Sequence, residues 1–574
     1  MFGKLINDYR FFLIVAFMLT VIKFQLTRLT GIWFPTNQHY DDELMMKYAD
    51  FPTHFSSSAE PFNEVLLKDM GFPFFLNLIH EVGINYFDAL SMLWFIAATS
   101  SVFLFAKTVK NSNKVVLLAI FAFVLFTPAA FDAWCGTRLY RSSILAPLYF
   151  IILNMSAIIF VRSFYDVKIN LIKFLPYQIF LGLIFTLTFY VKEDGIWLLA
   201  VLICIFVLCF IKVLRQKTFS TSYKILYVVA LLLPLMIFFG GTVAYKNVNQ
   251  KYFGVYEINT RTGGETGKFV NLVYKIKSDE RTGKIWAPAD AIVKAIEISD
   301  TFKDNPQFTE SILHSPWAGG DIFQNPIKGD FLGWVVITAV KDSGVFSNLA
   351  EQENFFRKVN QEIEIAFENG TLQKDSKIQI VSSMGGRSLV EILKLSKYML
   401  QLYGMHVILY EYNPGAMLIA RNAPANVEEE ILTNTAEKLT GINLLQQNET
   451  AGPMNETIDI IFMVYKFLQF VLFVMAVVGT FLAIKKLLKR KTNFDGGELL
   501  AIFISLGSFL LAMVYSLAIA WFCEFIDPSE LRHAALKFYG VGLIPMFMTF
   551  EIFGTYLLYS NYLKTKIGDK LCRK

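Results

Sequence analysis

Four short segments carry side chains able to do chemistry, and each sits beside a long apolar run. The first is His39-Tyr40-Asp41-Asp42-Glu43, with three consecutive carboxylates. Ionised carboxylates placed together repel, so one of them can be held as a general base. The set could also ligate a divalent ion, Mg or Mn, together with His39. A second reading stays open: Asp41 or Asp42 caps a helix that begins with Glu43, where an acidic side chain suits the positive end of the helix dipole. The second segment is Lys68-Asp69-Met70-Gly71-Phe72-Pro73. A lysine before a glycine–aromatic–proline turn presents a cation and backbone N–H groups to a phosphate. It equally suits an interfacial anchor. The third is Arg138-Leu139-Tyr140-Arg141, two arginines three apart and so expected on one helix face. Arginine is the natural bidentate partner of a phosphate. The fourth, Lys192-Glu193-Asp194-Gly195, interrupts an otherwise apolar stretch. It reads as a tight turn or as charge facing a cavity.

These segments must be positioned by a membrane domain. The 574 residues are 54% hydrophobic and 18% charged, with 56 Phe and five Cys. That excludes an ordinary soluble enzyme, a disordered chain and a disulfide-built scaffold. Ten candidate spans lie near 11–30, 87–106, 115–131, 144–161, 174–191, 196–212, 225–243, 461–484, 498–521 and 535–559. Lysines and arginines concentrate in the loops after the second, fourth, sixth and eighth spans and in the C-terminal tail. All fall on the side of the N-terminus, so both termini are expected to be cytoplasmic. The net charge of +5 is thereby accounted for by membrane flanks, with no nucleic-acid partner needed.

The opposite side receives the first outer loop, 31–86, and the segment 244–460. The chain therefore divides into an N-terminal membrane module, 1–243, an extracytoplasmic domain, 244–460, and C-terminal spans with a tail, 461–574. The middle domain is expected to be mixed but mainly helical. Within it 401–411 reads as a strand or a buried helical turn, and Thr260 to Gly267 as a turn-rich mobile run. The Gly263-Gly264 and Gly319-Gly320 pairs read as turns with no helix signature after them. Lys23 and Arg28 lie inside the first span; Arg28 can snorkel outward, whereas Lys23 is deeper and needs a carboxylate or a lipid phosphate. Cys135 and Cys523 lie near the outer face, and isolated thiols are the expectation. No Walker P-loop, Rossmann fingerprint or C-x-x-C pair occurs, and no repeat of fixed period is visible.

The order Asp41-Asp42, Lys68 through Pro73, Arg138 through Arg141, then Glu193-Asp194-Gly195-Ile196-Trp197 resembles the integral-membrane glycosyltransferases of the GT-C fold. It is closest to a group of bacterial membrane proteins of that type, with a further likeness at Tyr252-Phe253-Gly254-Val255 and Phe269. The likeness spans roughly residues 30–280 and is weak beyond. It implies a polytopic all-α, GT-C-like protein of the bacterial cytoplasmic (inner) membrane. The donor would be a polyprenyl-phosphate sugar and the acceptor an envelope glycan, lipid or protein, with membrane lipids around. Asp41 or Asp42 would be the catalytic base. Lys68, Arg138 and Arg141 would hold the donor phosphate. Glu193 and Asp194, with His39 and Glu43, would face the acceptor or a metal; some members need a divalent cation and others do not. The chain departs from the pattern in carrying Asp194 where a second Glu is usual, and in placing its large domain between the seventh and eighth spans. Two other classes remain: a lipid-linked substrate transporter, against which the lack of paired repeats counts, and a non-enzymatic envelope assembly protein, in which Asp41, Asp42 and Arg138 would be replaceable.

Overall fold

A computed structural model describes residues 9–34, 41–56, 66–110, 112–165, 170–193, 195–409, 411–412, 424, 426–451, 455–489 and 496–563. His39 and Asp194 lie outside them. Among the described residues nine helical stretches are long and apolar enough to cross a membrane: Tyr9–Arg28, Tyr86–Thr108, Ser142–Tyr165, Leu171–Phe189, Ile196–Arg215, Thr221–Phe253, Thr457–Leu488, Gly496–Cys523 and Ser529–Asn561. The protein is a multi-pass membrane protein whose described residues are mainly helical.

The expected third span is the exception. Its helix, Lys114–Leu125, has only 12 residues, or about 18 Å of rise, against a hydrocarbon core of about 30 Å. Pro128 opens a 3-10 turn at Pro128–Ala130, and irregular chain continues to Arg141. Ala129 to Ala133 are buried, as are Cys135, Arg138 and Arg141. Non-helical backbone at such depth is tolerated where protein encloses it. Here the Asp132 carboxylate accepts from the backbone N–H groups of Trp134 and Cys135.

Ser142–Tyr165 is the central helix, buried along nearly its whole length. Its Asn154 donates to Ser100 and Ser101 at 2.9 and 2.8 Å, tying it to Tyr86–Thr108. Such polar links supply part of helix association where lipid removes the hydrophobic driving force. The last spans close by small-residue packing: a Cβ on Gly479 would stand 2.1 Å from the Gly554 carbonyl oxygen.

The two sets of loops lie at opposite ends of the bundle, as the alternation of basic flanks requires. At one end the Lys110 ammonium lies over the Tyr165 ring, Lys212 donates to the Phe164 carbonyl and Lys486 to Asn561. At the other end Lys68 meets Asp41, Arg141 meets Glu193 and Lys537 meets Asp132.

The middle domain is mainly helical among the described residues, and it departs from expectation at its edges and in the run 260–267. It is not bounded at 244 or 460: the seventh long helix runs unbroken to Phe253 and stops at left-handed Gly254, and the next span begins as helix at Asn455. Its strand content among the described residues is one short ladder, Ile285–Ala287 against Ile327–Lys328. The 401–411 stretch is helix as far as Val407, within Ser396–Val407. The run 260–267 is tied down rather than loose, because a helix, Gly264–Val273, starts inside it. Buried Glu353 accepts from the backbone N–H of Glu265 and Thr266 and from the Thr266 hydroxyl, satisfying the open first turn. Gly264 has φ +62°, and a Cβ there would lie 2.6 Å from Glu353 Oε2. Leu349–Glu368 buries Phe355, Phe356, Val359 and Ile363 at helical spacing against Phe269, Phe302 and Phe308. This core runs on without a break into Tyr515, Ile519, Trp521 and Phe547 of the last spans.

Candidate functional site

Six separated segments converge at the loop-rich end of the bundle. Asp41 opens the helix Asp41–Ala49 together with Asp42 and Glu43. Lys68 stands in an extended strap whose backbone is fixed on every side. Leu67 exchanges hydrogen bonds with Thr260, the Tyr245 hydroxyl donates to the Lys68 carbonyl at 2.8 Å, and the Gly71 N–H reaches the Tyr190 carbonyl at 2.6 Å. A Cβ on Gly71 would fall 2.4 Å from Tyr190 backbone atoms. The lysine strap is thus locked against the turn that carries Glu193.

The side chains form one ionic cluster. Lys68 Nζ donates to Asp41 Oδ2 at 2.5 Å and is itself fully buried. The Arg141 guanidinium spans two carboxylates, Asp41 and Glu193, each at 2.9 Å. The Tyr140 hydroxyl reaches Asp41 at 3.3 Å. Arg261 pairs with Asp330 at 2.9 Å. Trp334 underlies both Lys68 and Arg261, at 5.1 and 5.5 Å from its ring centre. Asp69 accepts from the Asn259 amide at 3.3 Å. Three buried polar atoms of the cluster, Arg141 Nε, Glu193 Oε1 and Arg261 Nε, have no hydrogen-bond partner among the described residues. Burying such atoms without partners costs stability. Buried polar atoms left unpartnered in a folded chain call for an explanation.

The electrostatics divide the carboxylates. Burial alone would raise Asp41, but Lys68 and Arg141 outweigh it and hold Asp41 at about 2. Burial acts on Glu193 in the same sense, and Arg141, Lys68 and Arg261 likewise hold it well below the ordinary range. Asp69 goes the other way: burial and the neighbouring Glu193 push it up to about 8. Lys68 is lowered by burial, with Arg141 and Arg261 adding repulsion. A protonated Asp69 leaves three cations, Lys68, Arg141 and Arg261, against three carboxylates, Asp41, Glu193 and Asp330.

Asp42 and Arg138 stand apart from this cluster. The helix of the central span begins only at Ser142, so the two arginines are not neighbours on a helix face and serve different carboxylates. Arg138 Nε donates to Asp42 Oδ1 at 2.6 Å and Nη2 donates to Asp42 Oδ2. Both side chains are buried. Trp33, Tyr140, Trp134 and Phe538 surround the guanidinium at 4.5 to 5.2 Å. Burial raises Asp42, and Arg138 opposes that. This fork and its aromatic cage clamp the acidic helix onto the 131–141 loop. Arg138 is therefore a poor candidate for the donor phosphate.

Glu43 turns to Lys47 at 3.0 Å, and Lys47 also reaches Glu428. Among the described residues no three His, Cys, Asp or Glu side chains converge to hold a metal ion. The nearest carboxylates, Asp41 and Glu193, are already engaged by cations. Two of the residues expected on the metal side, His39 and Asp194, lie outside the described residues. In the first span Lys23 has no carboxylate partner among the described residues; its ammonium lies 3.5 Å from the centre of the Phe131 ring. Arg28 pairs with Asp88 at 2.7 Å. Cys135 and Cys523 are free, buried thiols.

Sequence reasoning missed Arg261, Asp330 and Trp334, which the middle domain contributes, and passed over Asp69 beside the chosen Lys68. It also missed the buried pairs Lys537–Asp132, at 2.9 Å, and Arg387–Glu524. Fold and site together define a multi-pass membrane protein with a buried ionic cluster at one end of its bundle. No family model, curated protein or solved structure matches this chain significantly.

Proposed function

We propose that this chain transfers a sugar from a polyprenyl-phosphate donor to an envelope glycan, lipid or protein acceptor, on the outer face of the bacterial cytoplasmic membrane. The observation that carries the reading is the cluster itself. Lys68, Arg141 and Arg261 meet where the spans end, with unpartnered nitrogens on both arginines. That chemistry suits a lipid-borne phosphate, whose apolar tail stays in the bilayer. The basic ends of the spans are then cytoplasmic, by the distribution of Lys and Arg.

A donor phosphate would draw Arg141 and Lys68 away from Asp41. Two consequences follow. The cations neutralise charge as the anomeric C–O bond to phosphate breaks. Asp41, released from the partners that hold it near 2, rises toward an ordinary carboxylate and takes the acceptor hydroxyl proton. The new bond joins the acceptor oxygen to the anomeric carbon, and the polyprenyl phosphate leaves as the anion. A single displacement of this kind inverts the anomeric centre. Asp42 and Arg138 position the helix that carries Asp41.

Purified protein in nanodiscs, supplied with lipid-linked sugars extracted from bacterial membranes, provides the test. Asp41→Asn abolishes sugar release while the variant still co-purifies with donor lipid. Wild-type release by Asp41→Asn refutes Asp41 as the base.

A further inference from the structure

The segment 385–407 of the middle domain carries an apolar face that no other part of the described chain covers. It consists of two short helices, Leu389–Lys394 and Ser396–Val407. The first is closed at its start by a capping box between Ser388 and Glu391. Contacts with the spans fix its height. The Trp521 indole donates to the Gly385 carbonyl at 3.0 Å. Arg387 donates to the Trp521 carbonyl at 2.8 Å and pairs with Glu524. The segment therefore starts level with the end of the span Gly496–Cys523.

It then runs toward the bundle's middle. The Ser516 hydroxyl donates to Tyr403 at 3.3 Å, and the Tyr403 ring packs on Phe547 of the last span. Ser516 lies five residues inside Trp521, about 7.5 Å along that helix. Farther on, Gln469 of the span Thr457–Leu488 donates to the His406 carbonyl at 2.8 Å. Over this descent Leu389, Val390, Leu393 and Leu400 are 62–74% exposed. On the adjoining span Leu510 and Val514 are likewise exposed, at 51% and 69%. Lys394 and Lys397 are interleaved with them.

We infer that 385–407 is an interfacial segment sunk into the lipid leaflet at the site end of the bundle. Leu389, Val390, Leu393 and Leu400 meet acyl chains there, and Lys394 and Lys397 meet anionic headgroups. Depth carries the inference: an apolar face held level with a span, and covered by no other described residue, has lipid as its neighbour. Interfacial helices sit about 5–10 Å into the boundary with apolar side chains down and lysines up. The inference does not depend on the glycosyl-transfer reading.

Photo-crosslinking in the full-length protein provides the test. Leu393→p-benzoylphenylalanine and Leu400→p-benzoylphenylalanine are reconstituted in nanodiscs of phosphatidylcholine and phosphatidylglycerol, irradiated, and examined by intact-mass spectrometry. Val514 on the span and Ile365, 58% exposed on the charged helix Leu349–Glu368, carry the same label as controls. Lipid adducts at 393 and 400 should match those at 514 and exceed those at 365 at least tenfold. Adduct yields at 393 and 400 as low as at 365 would overturn the inference. So would cross-links only to a second protein chain.

Discussion

Breaking the buried pair Asp42–Arg138 should cost far more than loss of a surface ion pair. Both side chains are almost wholly buried, at 0% and 5% exposure, and the guanidinium engages both carboxylate oxygens. Removing one partner of such a pair strands the other charge out of water, at a cost of about 3–5 kcal/mol. At about 1.4 kcal/mol per factor of ten, the folding equilibrium constant should fall at least a hundredfold. Arg138→Met leaves Asp42 alone among aromatic rings and should sit at the upper end. Asp42→Asn keeps the shape and one acceptor and should sit at the lower end. The double variant Asp42→Leu with Arg138→Met strands no charge, so it should cost less than the two single changes added together. Unfolding in mixed micelles titrated with dodecyl sulfate, followed by circular dichroism, measures all three. Single variants within about 0.5 kcal/mol of wild type, the range of an exposed pair, would refute the clamp.

Two further consequences concern the strap beside the cluster. Asp69 is raised to about 8, against about 3.9 for an unperturbed aspartate. Its contribution is complete below about pH 4 and is lost as pH rises through about 8, because the folded state then holds a proton that the unfolded state has released. Wild type should therefore lose thermal stability relative to Asp69→Asn between pH 5 and 8.5, and melting curves that shift in parallel would contradict it. Gly71→Ala forces a Cβ to within 2.4 Å of the Tyr190 backbone and should destabilise by about 1–3 kcal/mol or more, while the same change at Gly507, which meets open space, should leave the melting temperature near wild type.

The sequence made the layout legible because lipid imposes simple rules. Apolar length marks the spans, and basic flanks sort the loops between two ends. Asp41, Lys68, Arg141 and Glu193 all border spans on the same side, and they do meet. The failures were local. Lys114–Leu125 looked like a span because Ala129 to Phe131 extend its apolar run, yet Pro128 ends helical geometry there. Arg138 and Arg141 looked equivalent because a helix was assumed beneath them, but the helix starts after both. Arg261, Asp330 and Trp334 were invisible because spacing along the chain says nothing about which loop of a 200-residue segment folds down onto the bundle. The turn-rich run around Gly264 read as mobile because its anchor, Glu353, lies nearly ninety residues away.

The central claim is that Lys68, Arg141 and Arg261 hold the phosphate of a lipid-borne donor. Native mass spectrometry of the gently purified protein tests it most directly. Wild type should retain a polyprenyl phosphate or its sugar conjugate, and the folded fraction of Lys68→Gln with Arg141→Gln, isolated by size exclusion, should lose it. Arg138→Gln, where it folds, should keep it. Only bulk phospholipids in wild type, unchanged in the double variant, would contradict the account and favour a transporter or an assembly protein.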